Sequence, residues 1–423
     1  MPVLLDRARS ATRGWLVKRT GGLDLSKIDK VPDRLVWPLL REGYDPVPRV
    51  GDLRERAPVD KLTSFMGIDV WLVTGEQEAR EVLAHTTAYS NDIRPYVGQA
   101  GDAEHGDIGG LGFTDPPQHT RLRRLLTPEF TMRRLERLRP RITEIVEDQL
   151  DRTARLGAGG DVVDLVPSLA FPVPFLVICE LLGLPPEERE TMRELATARF
   201  DVTYGGSGSF GAISGSRRHL MDFVRRQRAE PGDGLVGQII REHGDEISDF
   251  DLGGLADGAF TGGLETSASM LALGTAVLLE HPRWYHRLAE DPACVEPVVE
   301  ELLRYLSVVQ IAFPRFARQD IEVAGRTVRA GDVVVCHLAA AGRDPRVGHD
   351  DAFDPARPAS GRQLAFGHGF HRCVGAELAR MELRIAFPAI ARRFPDLRLA
   401  TDDLDFRRKS IVYGVHSLPV TLS

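Results

Sequence analysis

The sequence predicts a mainly α-helical protein with a minor β component, for three reasons. Apolar residues keep a helical pattern over Asp249–Glu280, which is the longest helical stretch in the chain. Helical spacing also dominates from residue 118 to about residue 243. Strand-like runs are short, and the clearest are residues 321–324, 327–328 and 332–336. No repeat or linker divides these segments, so we expect one large domain.

Composition and charge exclude several broad classes of protein. The chain has 423 residues, of which 43% are hydrophobic, and this is ample for a large core. Its formal net charge of −7 argues against a nucleic-acid-binding protein. The 4 cysteines are widely scattered, which is typical of a reducing compartment rather than of a disulfide framework. No apolar run reaches the roughly 18 residues of a membrane-spanning helix, so we expect a cytoplasmic protein without membrane contact.

The first elements mix helix and strand signals. Residues 1–44 are too interrupted by charges for a signal peptide, and we expect a helical or irregular extension before the main domain, residues 45–423. Residues 69–75 have the pattern of a strand, and residues 76–85 that of a helix. The Gly- and Asp-rich stretch 89–117 lacks periodicity and is interpreted as a long loop.

The rest of the chain is predominantly helical in pattern. Residues 118–157 are helical and strongly basic. The helical pattern continues to residue 243, with breaks at the Pro- and Gly-rich positions 185–186, 205–215 and 231–234. After the long central helix we expect a helix at Val295–Leu306, and the last element, residues 411–422, has the pattern of a strand.

One segment near the C-terminus carries a chemical signal. Residues 366–375 read Phe-Gly-His-Gly-Phe-His-Arg-Cys-Val-Gly, and they place Cys373 just before an amphipathic stretch. A thiolate at a helix N-terminus is stabilised by unpaired backbone N–H groups and by the helix dipole. The glycines allow the backbone to approach a large or flat group. This pattern predicts a cysteine that binds the iron of a haem.

The segment closely resembles the haem-binding loop of the cytochrome P-450 family, in its soluble bacterial form. The resemblance implies that Cys373 is the axial thiolate of haem b, iron protoporphyrin IX. It further implies that Phe366 packs beside the sulfur and that His371 reaches a haem propionate. Gly369 and Gly375 are expected to permit the tight turn.

The same resemblance implies a fold. It extends from about residue 45 to the end of the chain, and it implies the triangular single-domain cytochrome P-450 fold, with haem between a long central helix and the helix after the cysteine loop. A zinc site built from His368, His371 and Cys373 is the alternative metal site. It lacks a second pair of ligands at the usual spacing.

The central helix contains costly glycines and an unusual polar pair. Glycine in a helix interior costs roughly 0.5–1 kcal/mol relative to alanine, so Gly262 and Gly263 require a reason. Either a flat group touches the backbone there, or the glycines allow close helix packing. Glu265 and Thr266 follow directly, and a buried acid and hydroxyl need partners or a function. The segment resembles the family's oxygen-binding stretch, which implies that Thr266 stabilises bound dioxygen and Glu265 relays protons.

Two further groups match the family. Glu301 and Arg304 lie at i and i+3, on one face of a helix. This pair resembles the family's Glu-x-x-Arg motif, with Arg357 as the third partner, and the resemblance implies that the trio supports the segment below the haem loop. The remaining matches are implied propionate ligands: His119, Arg123 and Arg315.

A basic stretch indicates an electron donor. Residues 121–141 contain 8 arginines. Such a run is either a solvated face or a docking patch for an acidic protein. By resemblance, the partners are ferredoxin and ferredoxin reductase, which deliver electrons from NAD(P)H.

The resemblance implies a monooxygenase that inserts one atom of O2 into an organic substrate of the secondary-metabolite type, by hydroxylation or epoxidation. We expect a monomer. Two alternatives remain open, namely oxidative aryl or C–C coupling in natural-product biosynthesis, and a non-catalytic haem-binding sensor. The regions expected to line the substrate pocket are residues 89–113, 199–217, 308–312 and 412–417, and their polar candidates are Arg94, Tyr96, Tyr204, Gln310 and His416.

Overall fold

The structure is a computed structural model that describes residues 32–65, 67–92, 110–201, 215–357 and 363–422. Within these ranges the protein is predominantly helical, as the sequence predicts. The α-helices are α1 Asp33–Val36, α2 Pro48–Arg56, α3 Glu76–Ala84, α4 Gln118–Leu126, α5 Met132–Leu135, α6 Arg139–Leu156, α7 Pro172–Leu182, α8 Pro186–Asp201, α9 Gly215–Ala229, α10 Leu235–His243, α11 Asp249–Glu280, α12 Pro282–Glu290, α13 Val295–Leu306, α14 Leu338–Ala341 and α15 Ala376–Arg393.

The strands are short and form small sheets. They are β1 Arg41–Glu42, β2 Asp45–Pro46, β3 Val59–Phe65, β4 Ile68–Val73, β5 Tyr89–Ser90, β6 Val163–Asp164, β7 Arg315–Ala317, β8 Ile321–Val323, β9 Arg326–Val328, β10 Val333–Cys336, β11 Arg398–Leu399 and β12 Pro419–Thr421. The largest sheet has the order β3-β4-β10-β7-β5, and a second has the order β11-β12-β6. Strands β4 and β10 pair in parallel, with Val70 opposite Val333, and the other pairs are antiparallel.

The chain divides into two compact units. Of the residues described, the smaller unit comprises 32–35, 91–92, 110–126, 182–201 and 215–258, and the larger comprises 36–65, 67–90, 127–181, 259–357 and 363–422. Helix α11 begins in the smaller unit and continues into the larger one. All the strands described above belong to the larger unit.

Helices dominate the smaller unit. Two of its segments are in close backbone contact, where Gly183, with a φ of +81°, lies against Gly234. A Cβ at Gly183 would lie 2.9 Å from the Gly234 Cα, so only glycine allows this approach. Ion pairs join other segments of the unit, since Arg121 pairs with Asp251 and Arg228 Nε lies 2.9 Å from Asp249 Oδ1.

The core of the larger unit is built around α11 and α15. Gly274 of α11 accommodates the ring of Phe387 on α15, because a Cβ at Gly274 would lie 2.5 Å from Phe387 Cζ. Helix α15 continues through Pro388 without a break. Leu302 of α13 and Leu383 of α15 belong to the same buried cluster, so three helices share one apolar interior.

The N-terminal hairpin β1–β2 is part of the larger unit. The domain boundary that the sequence places between residues 44 and 45 falls inside this hairpin, since Glu42 pairs with Asp45. The Arg41 guanidinium is anchored in the interior, where its Nε donates to Gln310 Oε1 at 2.8 Å. Burial lowers the pKa of Arg41 to about 9. Trp37 is also buried.

Two predicted elements differ from the structure. The helical stretch predicted for residues 118–157 is split into α4, α5 and α6, because Pro128 and Pro140 cannot donate the backbone hydrogen bonds of a continuous helix. The strand predicted for residues 411–422 is wrong over most of its length and is limited to β12. Residues before it form a loop in which Phe406 bridges to Val415.

Helix α11 is long and apolar. Among the helices described, it alone meets the length and composition of a membrane-spanning segment. In the structure, 72% of its most apolar 18-residue stretch is buried inside the protein. It is therefore a core helix of the fold.

Helix α15 carries a buried acid that predicts a pH-dependent stability. Glu382 is 1% exposed, and burial raises the pKa of its carboxyl from 4.5 to about 8. The unfolded carboxyl releases its proton above about pH 4.5, whereas the folded one keeps it. The free energy of unfolding should therefore be highest, with respect to this group, below pH 4.5. It should fall by up to about 1.4 kcal/mol per pH unit between pH 4.5 and 8.

Glu382→Gln should remove this fall, because an amide does not titrate. Urea unfolding at several pH values is the measurement, and the variant should gain stability relative to the wild type as the pH rises. Glu147→Gln is the matched control, since Glu147 is exposed on α6. A parallel pH dependence in wild type and Glu382→Gln would contradict the prediction.

Candidate functional site

The cysteine loop is a closed turn that begins α15. A short 3-10 turn, Gly369–His371, precedes Cys373, and the backbone N–H of Cys373 donates to the Phe366 carbonyl at 2.9 Å. Cys373 is exposed, whereas Cys179, Cys294 and Cys336 are buried. The structure therefore singles out one of the 4 cysteines as an accessible sulfur at a helix N-terminus.

The two glycines predicted to permit the turn have different roles. Gly369 has a φ of +69°, and a Cβ there would lie 2.6 Å from the Leu83 carbonyl oxygen, so glycine is required. Gly375 has a φ of −82°, which any residue adopts, so the predicted need for glycine in the turn is wrong at this position. A Cβ at Gly375 would instead lie 3.9 Å from Cys373 Sγ. Its effect is to leave space beside the sulfur.

The zinc alternative is wrong. Within the ranges that the structure describes, no three His, Cys, Asp or Glu side chains are placed to hold a metal ion. His368 Nδ1 lies 3.2 Å from an Arg80 guanidinium nitrogen. His371 lies in the turn before Cys373, with its ring edge-on to Phe370 at a centroid distance of 5.8 Å.

Helix α11 is open on one face in its middle. Most of the helix is buried, but Gly262 is exposed, and a Cβ built there would meet nothing within 4 Å. Thr266 lies one turn further along and is partly exposed. Gly263 faces elsewhere, since a Cβ there would lie 2.5 Å from Ile178 Cδ1 on α7. The prediction of a flat group against both glycines is therefore corrected, because Gly263 serves helix packing.

The polar pair on α11 has defined partners. Thr266 Oγ1 donates to the Gly262 carbonyl at 2.6 Å. The hydroxyl proton is thus engaged, and the oxygen lone pairs remain available as acceptors. Glu265 Oε1 accepts a hydrogen bond from Arg407 at 3.1 Å, and both side chains are about four-fifths buried or more, at 15% and 21% exposure.

Arg407 was not identified from the sequence. It lies 142 residues after Glu265, so no local spacing signals the pair. The segment that carries Arg407 also packs on α11, because a Cβ at Gly414 would lie 2.7 Å from Ser269 Oγ. The backbone N–H of Arg407 donates to the Gly414 carbonyl at 2.8 Å, which holds the two contacts together.

The structure brings the predicted trio of Glu301, Arg304 and Arg357 together. Arg304 forms two hydrogen bonds to the Glu301 carboxylate, at 2.7 and 2.8 Å, and both side chains are under 10% exposed. Arg357 lies 3.8 Å from Glu301 and has a closer partner in Asp350, at 2.9 Å. The Asp354 backbone N–H also donates to Glu301, at 2.9 Å. The trio therefore fixes residues 350–357 to α13.

The predicted propionate ligands lie in both units. His119 and Arg123 are on α4 in the smaller unit, and His119 is fully buried. Burial, with a contribution from Arg123, lowers the pKa of His119 to about 4, so its imidazole is neutral at pH 7. Arg315 begins β7 in the larger unit, where it is 4% exposed and donates to the Phe313 carbonyl at 2.8 Å.

Of the polar candidates for the substrate pocket, Gln310 is fully buried and structural. Its amide donates to the carbonyls of Leu39, at 2.9 Å, and Ser410, at 2.6 Å, and its oxygen accepts from Arg41. The backbone N–H of His416 donates to the Asp405 carbonyl at 2.9 Å. Arg94, Tyr96 and Tyr204 lie outside the described residues, as do the central parts of the two predicted pocket loops.

The predicted arginine patch is partly neutralised. The arginines that pair with carboxylates are Arg121, Arg134, Arg139 and Arg141. Arg133 and Arg137 in the larger unit are exposed. They follow closely after Phe130, whose ring would lie 3.8 Å from a Cβ at Gly375. Arg133 and Arg137 therefore belong to the part of the chain that reaches Gly375 through Phe130.

These observations fit a haem group. Cys373 offers an accessible soft sulfur ligand, and the face of α11 around Gly262 and Thr266 leaves uncovered space. Arg315 is a buried cation of the kind that holds a carboxylate. A mainly helical fold with this donor set defines the haem-thiolate class of oxygenase.

Comparison with known proteins identifies the family. The family model described as Cytochrome P450 matches residues 293–410. The chain is 38% identical over 390 residues to Cytochrome P450 FAS1 of Rhodococcoides fascians, across 90% of this chain and 97% of that protein. It is 37% identical to Cytochrome P450 monooxygenase PikC of Streptomyces venezuelae, across 89% of this chain and 91% of that protein.

A solved structure agrees. OxyC, described as a cytochrome P450 implicated in an oxidative C–C coupling reaction during vancomycin biosynthesis, has a TM-score of 0.79 and 36% identity, and covers 90% of this chain and 96% of its own. The chain belongs to the cytochrome P450 family and has the single-domain fold of that family. It is an oxidoreductase of the monooxygenase class.

Glu301→Gln should destabilise the protein by about 3–5 kcal/mol, because it leaves the buried Arg304 without its carboxylate. Urea unfolding at pH 7 measures the effect. Glu296→Gln on the same helix is the control, since Glu296 is 71% exposed in its pair with Arg384, and its loss should change little. Equal effects of the two substitutions would show that the trio is not a structural anchor.

Proposed function

We propose that the protein holds haem b through the Cys373 thiolate and oxygenates an organic substrate of the secondary-metabolite type. The observation that carries the proposal is the accessible Cys373 sulfur at the start of α15. The neutral His119, together with Arg123, Arg315 and His371, would hold the propionates by hydrogen bonds. Phe366 and Gly369 would form the turn around the sulfur, and Gly262 would leave the backbone of α11 open to the ring.

When bound, the haem supplies the redox chemistry by which one atom of O2 enters the substrate and the other leaves as water. The chain's own residues supply protons and orientation. Thr266 offers its hydroxyl oxygen as an acceptor, because its proton is already donated to Gly262. Glu265, one residue before, is the acid that would carry protons toward this hydroxyl.

Arg407 has a positioning role in this scheme. Its hydrogen bond at 3.1 Å fixes where the Glu265 carboxylate points. Proton transfer then requires this pair to open or to exchange with water. The loop of residues 405–415 is thereby coupled to the proton supply.

Electrons would arrive from a ferredoxin, reduced by a ferredoxin reductase with NAD(P)H. The exposed Arg133 and Arg137 support this, because they follow Phe130 in the chain and the Phe130 ring lies beside Gly375. A cationic surface there attracts an acidic protein and shortens the path for electrons to the sulfur. We place the enzyme in the cytoplasm, as a monomer.

Oxidative coupling is the second candidate, and the similarity to OxyC favours it. The two reactions differ in their product. Oxygenation adds an atom from O2 to the substrate, whereas coupling removes hydrogen and adds no oxygen. Mass spectrometry of the product formed under isotopically labelled O2 separates them.

Cys373→Ser should abolish the thiolate-type band of the reduced carbon monoxide complex, because a serine oxygen is a poor substitute for the sulfur ligand. The difference spectrum of the purified protein is the measurement. Cys294→Ser is the control, since Cys294 is buried, and it should keep the band. Persistence of the band in Cys373→Ser would overturn the proposed function.

Replacing Arg133 and Arg137 together by Glu should slow reduction by ferredoxin about tenfold or more at low salt, because two attractive charges become repulsive. Stopped-flow reduction is the measurement, and the effect should shrink as salt is added. The control replaces Arg152 and Arg155 by Glu. These arginines are exposed near the end of α6, where Asp151 pairs with Arg393 at the far end of α15.

Similar slowing in both double variants would show a net-charge effect instead of a docking site. An unchanged rate in the Arg133 and Arg137 variant would also contradict docking at this surface.

A further inference from the structure

Helix α13 carries a second acid, Glu300, which contacts the chain both before and after the cysteine loop. Its carboxylate accepts hydrogen bonds from Arg380 of α15, at 2.5 and 3.1 Å. It also accepts one from the Gln363 side chain at 3.4 Å, on the segment before the loop. The Gln363 oxygen in turn accepts from the backbone N–H of Ala365 at 2.6 Å. Glu300 therefore connects the two segments that flank Cys373.

Arg380 continues this connection to the loop itself. Its guanidinium carbon lies 4.7 Å from the centroid of the Phe366 ring, within the range of a cation–π contact. The carbonyl of Phe366 accepts the N–H of Cys373 at 2.9 Å. Arg380 thus contacts the residue whose backbone fixes the position of the cysteine.

The charge of Arg380 is held in place. Its side chain is 12% exposed and also donates to Glu377 at 3.0 Å. Burial of Glu300 is the largest single influence and raises the pKa of its carboxyl, but the hydrogen bonds and charge of Arg380, together with Gln363 and Arg384, lower the pKa below its usual value. The pair is therefore ionised at neutral pH, with the cation facing the aromatic ring.

We propose that Glu300, Arg380 and Phe366 form a clamp on the cysteine loop, and that the Arg380 cation raises the reduction potential of the iron bound by Cys373. Reduction adds one negative charge to the iron and its thiolate, and a fixed cation nearby stabilises that charge. The aromatic contact keeps the ring, and with it the loop, in one position. The proposal rests on the proposed function, because it takes Cys373 as the haem ligand.

The electrostatic part is tested by the reduction potential of the haem protein, measured by spectroelectrochemistry. Arg380→Gln should lower the reduction potential by about 59 mV, which corresponds to a change of about tenfold in the one-electron equilibrium constant. Arg380→Lys keeps the cation and should stay close to the wild type. Arg384→Gln is the matched control, because Arg384 is one turn further along α15, pairs with the exposed Glu296 at 3.0 Å and lies farther from Glu300, at 3.8 Å; it should shift the potential far less than Arg380→Gln.

The clamp is tested by the rate at which the reduced carbon monoxide complex loses its thiolate-type band. Lysine lacks the planar guanidinium that stacks on an aromatic ring. The thiolate-type band should therefore disappear several-fold faster in the Arg380→Lys variant than in the wild type or the Arg384→Gln variant. In a Phe366→Leu background, adding Arg380→Lys should have no further effect, because the ring that the guanidinium contacts is absent.

The outcomes separate cleanly. An unchanged potential in Arg380→Gln, or an equal shift in Arg384→Gln, overturns the role of the cation. Equal band stability in Arg380→Lys and the wild type overturns the clamp. If Arg380→Gln does not bind haem, Glu300→Gln replaces it, because it frees Arg380 from its anchor and should lose the band faster. Absence of the thiolate-type band in the wild type would instead refute the proposed function.

Discussion

Two adjacent buried or partly buried carboxylates on α13 anchor the segments that surround Cys373. Glu301 binds Arg304 and the backbone of Asp354, which fixes the segment 350–357. Glu300 binds Arg380 and Gln363, on either side of the cysteine loop. Neighbouring residues on a helix point in different directions, so one helix can anchor two segments at once. The exposed sulfur is therefore held by interactions that are themselves mostly shielded from solvent.

Helix α11 is closely packed on some faces and open on another. Gly263 and Gly274 are small because Ile178 and Phe387 occupy the adjacent space, and this close packing offsets the entropic cost of glycine. Among the described residues, no atom lies within 4 Å of a Cβ at Gly262, and in the proposed function this would leave the helix open to the haem. The packed faces keep the backbone rigid, so the open face can present Thr266 in a fixed orientation.

The sequence predicted well what local spacing determines. The bounds of α11 and α13 follow from long, regular apolar patterns, and Cys373 follows from a short continuous segment. Interactions between distant segments were not predictable in this way. Arg407 meets Glu265 across 142 residues, and Arg380 meets Glu300 across 80. The role of Gly263 was ambiguous for a different reason, since a glycine pattern does not reveal whether a side chain or a flat group fills the space.

In the proposed function, electrons and protons would be supplied by different parts of the chain, and this separation would follow from their physical requirements. An electron donor is a protein, so it needs an exposed surface, and the exposed Arg133 and Arg137 follow Phe130, whose ring lies beside Gly375. Protons need a shielded path that admits few competing groups. Glu265 is correspondingly mostly buried and already paired with Arg407. In the proposed function, Arg407 positions the Glu265 carboxylate, so a change in the loop of residues 405–415 would alter the proton supply through this pair.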